Sequence, residues 1–309
     1  MTTTITHTTH DNPAGQLAQG SFSTGSVRSK DGTIVQYRQI GCGPAIVVLH
    51  GAMEHAGSHM QLAEALAGEY TVYLPDRRGH NLPGQFRPDY SMQQEVDDLS
   101  ALLDKVEGHL VFGVSAGGLI ALQAALTLPA IHRIALYEPA LIVNGLASTA
   151  FLARYDREIA RGQVAAALVS GMQGAQLGPA FFSAIPRPLL ELMTGLAVSA
   201  EDKKAQPGDV TMRMLAPTLH YDFLLVREMA EQAERFGSVR QDVLLLGGSD
   251  SPAWLKAALD ALEKVLPHAQ RVEFPGLNHG GSSDPGSTNR SGNPALVAQE
   301  TGRFFAGQA

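Results

Sequence analysis

The chain has 309 residues, 44% of them hydrophobic, and its 23 Lys and Arg against 30 Asp and Glu leave a net charge of -7. That size and apolar content suit a buried core in one large domain or two small ones, and the acidic balance argues against nonspecific binding to nucleic acid or to an anionic membrane. The single cysteine, Cys42, cannot form an intramolecular disulfide, so nothing in the composition calls for an oxidising compartment.

Residues 1–25 are rich in Thr, Ser, Gly, Gln and His, with no basic stretch and apolar run of the signal-peptide kind, and are expected to form a flexible tail. No segment approaches the roughly 18 uninterrupted apolar residues of a membrane-spanning helix, and cytoplasmic residence is the expectation. Residues 33–40 alternate like a half-exposed strand at the edge of a sheet, pairing antiparallel ahead of a buried strand at 45–49. A helix over 59–67, a strand over 70–74, an amphipathic helix over 91–106 and strands over 110–114 and 131–137 follow. Regular alternation of apolar strands with helices implies a mostly parallel central sheet flanked by helices on both faces, an α/β fold. From about 141 to 216 the pattern is helical without strands. A helical cap is expected there, inserted between core segments 26–140 and 217–309. The insertion would lie over the carboxyl edge of the sheet and roof a pocket. Met53, Met172, Met193, Met212 and Met214 can line that pocket, though helix packing is the preferred account of most of them.

The most informative stretch is Leu110-Val111-Phe112-Gly113-Val114-Ser115-Ala116-Gly117-Gly118, in which an apolar strand runs directly into a helix with a serine at the junction. This is the G-x-S-x-G nucleophile-elbow pattern. Three further segments end apolar strands: His50-Gly51-Ala52, Gly247-Gly248-Ser249-Asp250-Ser251-Pro252, and Pro275-Gly276-Leu277-Asn278-His279. The carboxyl edge of an open parallel sheet is where ligands bind, so Ser115, Asp250 and His279 can converge there although far apart in sequence. Glu138, which ends the strand at 131–137, is an alternative acid to Asp250.

The order Ser, Asp, His, together with the His50-Gly51 turn, the segment Asp76-Arg77-Arg78-Gly79, the elbow and the GGSDSP stretch, resembles the α/β-hydrolase superfamily, specifically its small cofactor-independent esterase-like and haloperoxidase-like serine hydrolases. The resemblance runs from about residue 25 to 305. It implies that Ser115 is the nucleophile and His279 the general base, with Asp250 holding the other ring nitrogen. It also implies an oxyanion hole made by the backbone N–H groups of Ala52 and Ala116. His50 would brace the oxyanion turn beside Gly51, with Met53, Glu138 and Trp254 as further candidates around the pocket. Asp76 and an arginine would tie neighbouring loops together. His55, His59 and His80 read as surface or rim residues.

Eleven histidines contain no H-E-x-x-H arrangement, and there is no G-x-x-x-x-G-K-S/T segment, so neither a metal nor a cofactor is expected. The Gly/Ser/Asn-rich segment 280–294 departs from the family pattern, in which the last helix soon follows the histidine, and is expected to be mobile or to act as a flap. The reading is a serine hydrolase that cleaves a small or medium carboxylic ester, lactone or thioester with an apolar acyl portion through an acyl-serine. Serine at the elbow argues against dehalogenase or epoxide hydrolase chemistry. Carbon–carbon bond hydrolysis or acyl transfer on the same triad, or a ligand-binding protein without turnover, are the alternatives. A homo-oligomer is compatible with the sequence.

Overall fold

The computed structural model describes residues 22–80, 89–177, 184–286 and 289–308. In chain order the strands are β1 (Ser23–Arg28), β2 (Ile34–Gly41), β3 (Ala45–Leu49), β4 (Thr71–Pro75), β5 (Leu110–Val114), β6 (Arg133–Tyr137), β7 (Asp242–Gly248) and β8 (Ala269–Phe274). They form one sheet in the order β1-β2-β4-β3-β5-β6-β7-β8. β2 pairs antiparallel with both β1 and β4, and every other pairing is parallel. The antiparallel lead-in expected over 33–40 is therefore present, but β1 lies outside it at the edge. Ser23 to Gly25, read from composition as tail, belong to that edge strand. Residues 1–21 of the expected tail lie outside the described residues.

Alternation along β3 shows how both faces are filled. Ile46 and Val48 join one apolar cluster with α1 (Met60–Leu66) and α10 (Pro294–Phe305), while Val47 and Leu49 join another on the opposite face. That second cluster takes in α2 (Met92–Val106), α3 (Ala116–Thr127), α8 (Leu219–Met229) and α9 (Ala253–Val265). Successive strand residues point to opposite faces, so a strand covered on both sides must be apolar at every position. α2 buries Met92, Val96, Leu99, Leu102 and Leu103, one stripe at helical spacing. Between β6 and β7 the chain makes α4 (Leu152–Ala160), α5 (Val164–Gly174), α6 (Arg187–Lys204) and the short α7 (Met212–Leu215) before α8. Residues 178–183 of this helical stretch lie outside the described residues.

Register brings the site together. Val114 on β5 lies level with Tyr137 on β6, and Tyr137 with Leu246 on β7, so the residues that follow these strands stand side by side at one edge. The two elbow glycines permit that edge to be compact. A Cβ on Gly117 would lie 2.3 Å from the Leu49 carbonyl oxygen and 2.6 Å from that of His50, and one on Gly113 would lie 2.6 Å from the Gly117 carbonyl oxygen. Backbone at those distances cannot yield cheaply. Gly117→Ala is expected to destabilise the fold by about 1–3 kcal/mol, measured as a lower midpoint of urea unfolding with an unchanged slope.

Candidate active site

Ser115 joins β5 to α3 with φ 53° and ψ -116°, a region that costs a non-glycine residue of order 1–3 kcal/mol and persists only where surroundings enforce it. Its N–H donates to the Tyr137 carbonyl at 3.0 Å, and its own carbonyl accepts from the N–H groups of Leu119 and Ala140. The elbow is thus pinned to the end of β6 on both sides. Ser115 is 8% exposed. Ala116, directly after it, opens α3, where a backbone N–H has no acceptor within the helix.

The acid beside His279 is Glu138. His279 Nδ1 lies 2.8 Å from Glu138 Oε2, and the Gly248 N–H donates to Glu138 Oε1 at 2.7 Å. Glu138 is fully buried and has φ 45°, so a second left-handed residue stands at the end of β6. With the Nδ1 proton directed at Glu138, His279 Nε2 is left as the acceptor. The next-door Tyr137 donates from its hydroxyl to the Asn278 carbonyl at 2.7 Å, bracing the histidine from its preceding residue. Asp250, expected to hold the ring, is exposed and accepts instead from Ser249 Oγ at 2.9 Å. The reason is local. The turn after β7 ties the Asp250 N–H to the Leu277 carbonyl and carries its side chain outward, while β6 delivers Glu138 from beneath.

The turn after β3 is braced by a buried polar cluster. Arg77 N–H donates to His50 Nε2 at 3.1 Å, which makes Nδ1 the donor to the Gly51 carbonyl at 2.8 Å. Burial, then the proximity of His80 and of the Arg77 guanidinium, holds the His50 imidazole well below its usual range, so it is a neutral brace. The Arg77 guanidinium pairs with Glu95 and with Asp222 of α8, at 3.2 and 2.9 Å. Arg78 pairs with Asp98 and Asp31, and Asp76 accepts from the Ala56 N–H at 2.8 Å. The expected tie between loops is therefore made by all three charged residues of the Asp76-Arg77-Arg78 segment. Met53 in the turn has φ 59°, and Ala52 and Met53 are half-buried against the larger apolar cluster.

Residues 46–290 match the alpha/beta hydrolase family. The chain belongs to that family. A pimeloyl-(acyl-carrier protein) methyl ester esterase of Xanthomonas axonopodis pv. citri (strain 306) is 27% identical over 241 residues, which cover 78% of this chain and 89% of that protein. The crystal structure of an alpha/beta hydrolase from Sphaerobacter thermophilus DSM 20745 superposes with a TM-score of 0.72 at 28% identity, covering 91% of this chain and all of that one. Esterase RhEst1 from Rhodococcus sp. ECU1013 shares the fold with a TM-score of 0.61 at 18% identity, over 93% of this chain and 99% of its own. This α/β hydrolase is thus an enzyme of the hydrolase class, similar in sequence to esterases. Among its described residues no helix is long and apolar enough to cross a membrane.

Other expectations for this α/β hydrolase change on contact with the structure. His59 and His80 are buried, not surface residues, while His55 is half-buried and caps the short helical turn Ala56–His59. Trp254 is buried and donates from its indole N–H to the Ala175 carbonyl at 3.1 Å, fastening α9 to the end of α5. Met193 and Met214 are exposed. A cavity of about 340 Å³ opens around α5, α6 and Arg213, and neither Ser115, Glu138, His279 nor the turn after β3 lines it. The segment after His279 is knitted in over its described residues. Asn289 Nδ2 donates to the carbonyls of Gly280, Ser283 and Asp284, and the Asp284 N–H donates to the Ser58 carbonyl. Ser282 and Ser283 are buried, and residues 287–288 lie outside the described part.

Sequence reasoning missed Glu54. Its Oε2 accepts from the Gly51 N–H at 2.7 Å and lies 3.0 Å from His59 Nε2, while Oε1 accepts from Ser283 Oγ. No motif marks it, because its partners come from a helical turn and from a loop distant in sequence. Burial works to raise the Glu54 carboxyl, but His59 and the hydrogen bonds outweigh it and hold it at about 2; burial works to lower His59, and Glu54 raises it. The depressed carboxyl stabilises the fold above its ordinary 4.5 and loses that contribution as pH falls toward 2, whereas the raised imidazole stabilises below its ordinary 6.5 and loses it as pH rises through its folded value. The stability deficit of Glu54→Gln in denaturant unfolding is therefore expected to be greatest at about pH 5–6, narrowing on both sides. A pH-independent deficit would contradict the ion pair.

Proposed function

We propose that the chain is a carboxylic ester hydrolase acting through an acyl-serine, with Ser115 as nucleophile, His279 as general base and Glu138 as the acid. The observation that carries this reading is the 2.8 Å contact from His279 to the buried Glu138 beside a strained Ser115. His279 Nε2 takes the Ser115 hydroxyl proton as Oγ bonds to the substrate carbonyl carbon. The tetrahedral oxyanion is met by the N–H groups of Ala52 and Ala116, and each such donor is worth about 3 kcal/mol of barrier. Collapse breaks the bond to the leaving alcohol, which takes the proton from His279. Water, deprotonated by the same ring, then releases the acid and restores Ser115. Glu138 fixes the tautomer and stabilises the imidazolium in both halves.

The proposed substrate is a small or medium ester, lactone or thioester with an apolar acyl portion. Support comes from Ala52 and Met53, which lie against the apolar cluster that also takes in Phe151 and Leu177 of the helical insertion. We read that insertion as a cap. The similarity to a methyl ester esterase points the same way. Cytoplasmic residence and action without cofactor, metal, nucleic acid or membrane belong to this reading.

Intact-mass spectrometry after treatment with a fluorophosphonate should show one adduct that Ser115→Ala abolishes. On p-nitrophenyl esters, Ser115→Ala and His279→Ala should remove nearly all turnover, and Glu138→Gln should lower kcat by roughly 10³–10⁴, while Asp250→Asn retains most of it. Folded protein without adduct or turnover would overturn the hydrolase reading. A dead Asp250→Asn beside an active Glu138→Gln would return the acid to Asp250.

A further inference from the structure

Two loops must be held in register for the proposed chemistry. One is the turn after β3, which carries the Ala52 N–H, and the other is the segment after β8, which carries His279. They come from opposite ends of the sequence, and most of the contacts described above brace each against its own neighbours. Glu54 touches both. Its two oxygens accept from the Gly51 N–H, one residue before Ala52, and from Ser283 Oγ, four residues after His279.

The surroundings reinforce the link. His59, fully buried, contacts Glu54 Oε2 through Nε2 and the Ser282 carbonyl through Nδ1, at 3.0 and 3.3 Å. It therefore spans the same two loops from behind. The His80 ring meets the Glu54 carbonyl through Nδ1 at 2.8 Å, fixing the backbone from which the carboxylate projects. The nucleophile is close by: the point where a Cβ on Gly51 would stand is 3.1 Å from Glu54 Oε2 and 3.1 Å from Ser115 Cβ. A bare carboxylate in that place would oppose an oxyanion. Donors from Gly51, Ser283 and His59 offset its charge.

Resting on the hydrolase reading above, we propose that Glu54 is a positioning residue that clamps the oxyanion turn to the histidine loop, so that the oxyanion donor and the general base keep one geometry. Its side-chain hydrogen bonds go to Gly51, His59 and Ser283, none of them a reacting group in that chemistry. Its effect belongs to the transition state, in which donor and base act together, more than to substrate binding.

The test compares Glu54→Ala, Glu54→Gln, Ser283→Ala and the Glu54→Ala/Ser283→Ala double variant, each shown to be folded by circular dichroism. On a p-nitrophenyl ester, Glu54→Ala should lower kcat by roughly tenfold or more with KM changed less than about twofold. Glu54→Gln should recover most of that loss, since the amide oxygen can accept from Gly51 and His59 and its NH₂ can donate to Ser283 Oγ. Ser283→Ala should lose less than Glu54→Ala, and the double variant should be no worse than Glu54→Ala, because both cut one connection. Wild-type kcat in folded Glu54→Ala, or additive losses in the double variant, would overturn the clamp. Amide hydrogen exchange gives a readout independent of turnover. Glu54→Ala should speed exchange in peptides covering both 50–53 and 279–284, and acceleration confined to 50–59 would overturn the proposal. If the wild-type protein neither hydrolyses esters nor reacts with the fluorophosphonate, the hydrolase reading fails, and the exchange data still decide whether the clamp exists.

Discussion

A carboxylate with no access to solvent must be met on both oxygens, and Glu138 is met by the Gly248 N–H on one side and His279 on the other. Much of the site's geometry depends on that requirement. It fixes the histidine tautomer, and it joins the ends of β6, β7 and β8 at one point. Glu138 has a left-handed backbone, and its carboxylate reaches the His279 ring and the Gly248 N–H. Ser115 is then tied to the same strand end through the Tyr137 carbonyl and the Ala140 N–H.

Three non-glycine residues with positive φ, Met53, Ser115 and Glu138, follow three neighbouring strands, β3, β5 and β6. Strain of this kind survives only where the surrounding hydrogen bonds over-determine the backbone. At β3 that support is the polar layer of His50, Arg77, Glu95, Asp222 and Glu54, most of it buried and cross-linked. The layer also ties α2 and α8 to the turn after β3, so the core helices set the position of a backbone segment that no side-chain motif specifies.

The parallel sheet was legible because its central strands, such as Ala45–Leu49 and Leu110–Val114, are nearly continuous apolar runs that alternate with helices, a pattern that few other arrangements satisfy. The elbow was legible for a different reason. Gly113 and Gly117 stand where carbonyl oxygens approach within 2.6 Å of a would-be Cβ, so that spacing carries its own steric explanation. Edge strand β1 was not legible. Ser23 and Thr24 are polar and exposed, and edge pairing leaves little hydrophobic signature. The post-histidine segment reads as flexible from composition, yet Asn289 and Ser283 spend their polar groups on neighbouring backbone and on Glu54. Composition alone cannot show where such hydrogen bonds go.

The sequence by itself determined the fold class, the serine at the elbow and the histidine after the last strand, since each is written in local periodicity or in residues adjacent along the chain. Tertiary structure alone decided which carboxylate meets the histidine. Asp250 and Glu138 both follow apolar strands and both are chemically suitable. The choice turns on strand register and on the direction in which one turn projects its side chain. It likewise decided the partners of Glu54, whose contacts to Gly51 and Ser283 join segments from opposite ends of the chain. Such information lies in the distances between elements, and a linear pattern does not carry it.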